Sequence, residues 1–236
     1  MKLARFTTTI TQKKENTPKD GISVAILSAG NGSRIKSYEP RSLLKIKGSY
    51  LLEHQIKTIN ASLENPEIIT VVGCHATRIM KKTRGKSRFV ENQLYEDTNS
   101  SESLRLAFNN STNKNFLFMH GDLHFNTKTL NVSFEKSFIL TDNQNRFKDS
   151  EVGLTKNKEN LSILSYGLSE KWGQMAFFTG PEHDMLRSIF NKYEGQDKKK
   201  LSFEIINSIV NMGGKFACYE PLGMKITEID RIKDIR

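Results

Sequence analysis

Three features of the 236-residue chain predict an α/β fold built on a doubly wound, mostly parallel sheet with an antiparallel extension. Short apolar runs at 22–27, 68–72 and 116–119 lack polar alternation, as strands buried on both faces require. Stretches of helical period separate them, and a βαβαβ order within about 70 residues demands right-handed crossovers. Beyond residue 122 the texture changes to short runs that mix apolar and polar residues, the mark of antiparallel strands with one wet face.

Each element follows from its own residues. Residues 1–20 are polar, contain KKENTPKD and read as a flexible arm, with 1–9 able to add an edge strand. Residues 21–236 form one domain. The first strand is 21–29; an amphipathic helix at 51–62 carries Leu52, Ile56 and Ile59 at helical spacing. After the Pro66-Glu67 turn come a buried strand at 68–72, a helix at 76–82 and a short strand at 89–92. Ser100 or Ser101 caps a helix at 102–108, whose positive end faces the same sheet edge as the first loop. The strand at 116–122 ends on a carboxylate. The antiparallel strands are 138–141, 151–156 and 161–168, broken by turns such as Asp142-Asn143-Gln144-Asn145. A strand at 176–179, helices at 183–193 and 203–212 and a strand at 216–219 complete the order.

Composition narrows the function classes. An apolar fraction of 36% spread in element-sized clusters fits a globular protein. Cys74 and Cys218 have no C-x-x-C spacing, which argues against a disulfide framework or zinc ribbon and fits a reducing compartment. No stretch has the length of a membrane span, and the N-terminus lacks a signal-peptide core, so a cytoplasmic protein is expected. The net charge of +10 gathers at 13–19, 81–88 and 198–200 without forming one stripe. A solvated surface that steers anionic nucleotides accounts for it better than a nucleic-acid partner does.

The stretch with most chemistry is Ser28-Ala29-Gly30-Asn31-Gly32-Ser33-Arg34. Its glycines let the backbone turn tightly and approach a ligand, successive N–H groups make an anion cradle, and Arg34 adds a fork for phosphate. It is neither a P-loop nor a dinucleotide fingerprint, since Ile35 fills the third glycine position. Taken alone, a tight turn with an incidental arginine accounts for it equally well. Asp122, at a strand tip beside Gly121, is suited to Mg²⁺ bridging triphosphate oxygens, with a plain turn aspartate as the alternative. His120 and His124 flank it without a third nitrogen or sulfur ligand and read as packing residues. Trp172 suits either a quaternary ammonium or, more commonly, core packing.

Taken together, Gly30-x-Gly32-x-Arg34, Pro40-Arg41-Ser42-Leu43 and Gly48-Ser49-Tyr50-Leu51-Leu52-Glu53-His54-Gln55-Ile56 resemble a known signature. It is that of the sugar-phosphate and alcohol-phosphate nucleotidylyltransferases, and within them most of all the cytidylyltransferases acting on phosphocholine-like phosphomonoesters. The resemblance implies the Rossmann-like nucleotide-diphospho-sugar transferase fold, with the loop wrapped around NTP phosphates. Arg41 stands where the family usually has a lysine near the α-phosphate, and Lys45 is a second candidate for that charge. The Tyr95–Leu104 segment is similar to the family's base loop, which makes Asn99 and Ser103 candidates for base or ribose contact and favours CTP or UTP. Asp122 is then the first Mg²⁺ ligand and Asp230, in Glu228-Ile229-Asp230, the second, with Asp234 capping the last helix. A helix-capping role fits Asp230 equally well by itself. The family's later lysine has no counterpart at Tyr166-Gly167, and Lys171 lies a few residues on. The implied reaction joins an NTP to a small phosphorylated acceptor. The alternative is a catalytically weak or inactive nucleotide- or nucleic-acid-binding protein on the same fold.

Overall fold

A computed structural model describes residues 17–30, 40–143 and 151–229. The chain runs through β1 (Ser23–Ser28), a small hairpin of β2 (Lys45–Ile46) and β3 (Ser49–Tyr50), and α1 (Leu51–Ser62). Then follow β4 (Glu67–Val72), α2 (Ala76–Lys82), β5 (Arg88–Glu91), α3 (Ser100–Asn109), β6 (Phe116–His120) and β7 (Leu123–Phe125). The second half contains β8 (Phe138–Thr141), β9 (Val152–Asn157), β10 (Asn160–Tyr166), β11 (Glu170–Phe178), α4 (Gly180–Asn191) and α5 (Ser202–Asn211). It ends with β12 (Ala217–Tyr219) and β13 (Ile226–Glu228).

Nine of these strands form one sheet in the order β5-β4-β1-β6-β11-β8-β12-β10-β9. The first four are mutually parallel, with Ser23 opposite both Glu67 and Phe116. From β11 onward the sheet is mixed: β11 runs antiparallel to β6 and β8, and β9 also bonds back to β11. The α/β class with an antiparallel extension is therefore what the chain adopts.

Strand alternation divides the interior into two cores. From β1 and its entry, Ile22, Val24 and Ile26 join Leu52, Ile56 and Ile59 of α1 and Ile79 of α2 on one face. Ala25 and Leu27 join Leu104, Ala107 and Phe108 of α3, with Leu186 and Ile206 of α4 and α5, on the other. Helices on both faces explain why the parallel strands carry no polar alternation. The chain leaves β1 toward β4 but returns from β5 across to β6, so its winding reverses between β1 and β6, where such folds open a ligand crevice.

Expectations change in detail at β11, which spans Glu170–Phe178 and not 176–179, and at the cap of α3. The cap of α3 is Asn99, whose Oδ1 accepts the Ser100 N–H at 2.9 Å, and not Ser100 or Ser101. Those hydroxyls are engaged elsewhere: Ser100 Oγ accepts from the Ser202 N–H (2.8 Å), and Ser101 Oγ donates to the Asp197 carbonyl (2.9 Å). They tie α3 to the 3₁₀ turn Gly195–Lys199 and to the start of α5. Of the N-terminal arm, 17–20 are described, and Thr17 Oγ1 accepts the Glu64 N–H at 2.8 Å. The suggested edge strand at 1–9 and Asp234 lie outside the described residues.

Among the described residues no helix is long and apolar enough to cross a membrane, and Cys74 and Cys218 are free thiols. Phe118 lies fully buried directly behind the β6 tip, stacked on Phe178 with ring centroids 6.0 Å apart. Phe118→Ala is expected to cost about 3–5 kcal/mol, measured as a fall in the urea midpoint at unchanged slope.

Candidate active site

The open cavity at the sheet's C-terminal edge has a volume of about 330 Å³ and lies over the tips of β1 and β6. Ser28, Ala29 and Gly30 form one border; Pro40, Arg41, Ser42, Gly121 and Asp122 form the next. Gly121 makes this junction possible. Its N–H donates to the Leu27 carbonyl at 2.8 Å, and a Cβ there would stand 2.8 Å from that oxygen and from Ser28 Cβ.

Arg41 enters from the opposite side on a short 3₁₀ turn. Pro40 presets that turn: its carbonyl accepts the Leu43 N–H at 2.8 Å, while buried Leu43 anchors the turn in the core. Arg41 Nη1 then donates to Asp122 Oδ2 at 2.5 Å, with both side chains largely buried, at 18% and 15% exposure. Charge-assisted bonds between a guanidinium and a carboxylate are strong and directional. The second carboxylate oxygen, Asp122 Oδ1, is buried and has no hydrogen-bond partner among the described residues.

That orphaned oxygen bears on metal binding. A hard cation accepts one or two carboxylates and takes its remaining ligands from substrate oxygens and water. Among the described residues no group of three acidic, histidine or cysteine side chains converges on a metal position, and the carboxylate they offer to a Mg²⁺ in the cavity is that of Asp122. The donor set fits a hard cation. Asn31, Gly32, Ser33, Arg34 and Asp230 lie outside the described residues. The described chain reaches Ile229, whose N–H donates to the Asp122 carbonyl at 2.8 Å.

The third border is the entry to α3, with Asn92, Tyr95, Thr98, Asn99, Ser100 and Ser103. Asn92 organises it: its amide donates to Thr98 Oγ1 (3.0 Å) and Ser103 Oγ (3.3 Å), and its oxygen accepts the Leu94 N–H (3.1 Å). Asn99 and Ser103 thus both line the cavity, one exposed and one buried. Lys45 does not: it is exposed on β2, with its ammonium 5.8 Å from the Tyr50 ring centre. Of the two cations considered for the α-phosphate, Arg41 is the one turned into the cavity.

The far border was only partly legible. It comprises Glu151, Tyr166, Trp172, Gln174, Phe203 and Glu228. Trp172 is buried, donates Nε1–H to the Met175 carbonyl at 3.2 Å and packs edge-on to Phe118 and His120, which makes it wall and core together. Lys171 points to Glu151 at 2.8 Å. Gln174 has a left-handed backbone (φ 56°) at the irregularity in β11, which aims its amide at Glu228 Oε2, 2.7 Å away. No sequence period announces that turn. His120, half-buried where it lines the cavity, shares a 2.9 Å hydrogen bond with Ser202 Oγ.

Comparison with known proteins bears on the family and the fold. Residues 24–141 match the family model described as the MobA-like NTP transferase domain. The bifunctional protein GlmU of Streptococcus gordonii is 41% identical over 66 residues, 28% of this chain and 14% of GlmU. This chain therefore covers a small fraction of that relative's length. Among solved structures, the CTP:phosphocholine cytidylyltransferase LicC from Streptococcus pneumoniae superposes with a TM-score of 0.73 at 20% identity, over 91% of this chain and 96% of LicC. The inositol-1-phosphate CTP transferase from T. maritima gives 0.72 at 14% identity, over 92% of each chain. At these identities the likeness shows a common fold.

Burial, before any neighbouring charge, holds His120, His124 and His183 below the usual histidine range near 6.5. The unfolded chain therefore binds more protons than the folded chain just below that pH. Stability is full above about pH 6.5 and falls as the pH drops toward the folded values. Urea midpoints are expected to hold above about pH 6.5 and to decline from there toward about pH 5.5; a flat profile contradicts this.

Proposed function

The chain belongs to the MobA-like NTP transferase family, and we propose that it transfers the NMP of an NTP to a small phosphomonoester with release of pyrophosphate. The observation that carries this reading is the Arg41–Asp122 pair, 2.5 Å apart in the cavity between β1 and β6. A cation suited to phosphate and a carboxylate with one unsatisfied oxygen stand side by side where the winding reverses.

An oxygen of the acceptor's phosphate attacks the α-phosphorus in line. A new P–O bond forms as the bond from the α-phosphorus to the bridging oxygen breaks, and pyrophosphate departs with that electron pair. A dianionic phosphomonoester is already nucleophilic, so the chain need not supply a base. Its work is alignment and neutralisation of charge. Arg41 holds the α-phosphate, with Arg34 as a further candidate, and the backbone of 28–33 cradles the β- and γ-phosphates. Mg²⁺, when bound, neutralises the triphosphate and the leaving group. Asp122 is its candidate ligand, and Asp230 the second; in support, Ile229 is hydrogen-bonded to the Asp122 backbone.

Asn99 and Ser103 face the base or ribose, and CTP or UTP is the preferred donor. The acceptor is phosphocholine-like or a sugar 1-phosphate. The rings of Trp172, Tyr166 and Phe203 beside Glu151 and Glu228 support the cationic choice.

Incubation with each NTP, Mg²⁺ and a panel of phosphomonoesters is expected to release pyrophosphate fastest with a pyrimidine triphosphate. No release from folded protein with any pair rejects the enzyme reading. Asp122→Asn is expected to lower kcat/KM by on the order of 10²-fold or more with the circular dichroism spectrum unchanged. Arg41→Ala should act similarly, and wild-type rates in both variants would remove the pair from the chemistry.

A further inference from the structure

We propose that Gln55 is the positioning residue that fixes the Asp122 turn for metal binding, an inference that rests on reading Asp122 as a metal-holding carboxylate. Gln55 lies on α1 between Leu52 and Ile59, on the face that otherwise buries apolar side chains, and is 1% exposed. An amide at such a position breaks the pattern of its own helix, and breaks of that kind concentrate where function needs them.

Its contacts explain the choice of residue. Gln55 Nε2 donates to the His120 carbonyl at 3.0 Å and to the Leu123 carbonyl at 2.9 Å. Those two residues bracket Gly121 and Asp122, so one amide holds both ends of the turn. Both neighbours are acceptors, which fixes the amide with its nitrogen toward them. Gln55 Oε1 is left buried with no partner among the described residues. A buried, unsatisfied acceptor is unfavourable, and its presence here needs a compensating use for the other end of the side chain.

The backbone of the turn is also held by Gly121 N–H to the Leu27 carbonyl and Ile229 N–H to the Asp122 carbonyl, each 2.8 Å. Together the four bonds fix the turn toward β1, toward β13 and toward α1. Removing the α1 pair frees two carbonyls beside Asp122 and lets its carboxylate rotate relative to Arg41. Groups that orient a metal ligand without touching the metal commonly matter by about 10–100-fold in metal affinity.

The test is a Mn²⁺ titration by water-proton relaxation with CTP present, on wild type, Asp122→Asn, Gln55→Met and Gln55→Asn. Met matches the length of Gln but has no donor; Asn keeps the donor on a stem too short to reach both carbonyls. Wild type is expected to show Mn²⁺ binding that Asp122→Asn lacks, and both Gln55 variants to bind about 10–100-fold more weakly while remaining folded. A purely structural tie would lower the melting temperature and leave the titration unchanged. A folded Gln55 variant that titrates like wild type therefore overturns the proposal while sparing the role of Asp122. If Gln55→Met does not fold, Gln55→Asn decides. Wild type and Asp122→Asn titrating alike would overturn the metal role of Asp122, and the role of Gln55 with it.

Discussion

The closeness of β6 to β1 at their C-terminal tips governs the whole ligand-binding edge. Gly121 sits with its N–H on the Leu27 carbonyl, in a space where any side chain would collide with backbone at 2.8 Å. An overpacked residue there would cost about 1–3 kcal/mol and would push the following aspartate outward. Because nothing larger fits, Asp122 comes down beside Ser28, Ala29 and Gly30, within reach of Arg41. The helices on both faces, the reversal of winding and the two cores all converge on that narrow contact.

Charge in the cavity is held in pairs. Arg41 with Asp122 and Lys171 with Glu151 are ion pairs, and Glu228 accepts from Gln174. An isolated ion as deeply buried as Arg41 or Asp122 would be costly, and each partner offsets that cost. Under the proposed function a triphosphate would bring several negative charges to this cavity and compete for Arg41. The guanidinium that now matches Asp122 would then share phosphate oxygens and leave the carboxylate to turn to a cation. Binding energy and electrostatic rearrangement would thus be coupled through one residue. The basic surface, with a chain charge of +10, favours the arrival of such an anion.

The parallel strands were legible because burial on both faces leaves unbroken apolar runs, and the place of Asp122 at the cavity was legible because a strand ending in Gly121-Asp122 puts it at the sheet's C-terminal edge. The cap of α3 was misassigned because any of Asn99, Ser100 and Ser101 has capping chemistry; only the contacts to Asp197 and Ser202 decide among them. Lys45 and Arg41 could not be ranked from sequence, since the turn that directs Arg41 inward depends on where Leu43 is buried. Gln55 was hidden inside a helical pattern, and Gln174 inside a strand pattern, because both act through distant backbone that sequence spacing does not reveal. What lies close in the chain was readable; what is brought together by the sheet was not.

The most direct measurement is a crystal structure with a non-hydrolysable CTP analogue and Mg²⁺. The expected result has the triphosphate over the tips of β1 and β6, with Arg41 within hydrogen-bond reach of a phosphate oxygen and Asp122 coordinated to the ion. A nucleotide bound elsewhere, or one that leaves the Arg41–Asp122 pair closed and the metal held by other residues, would contradict it.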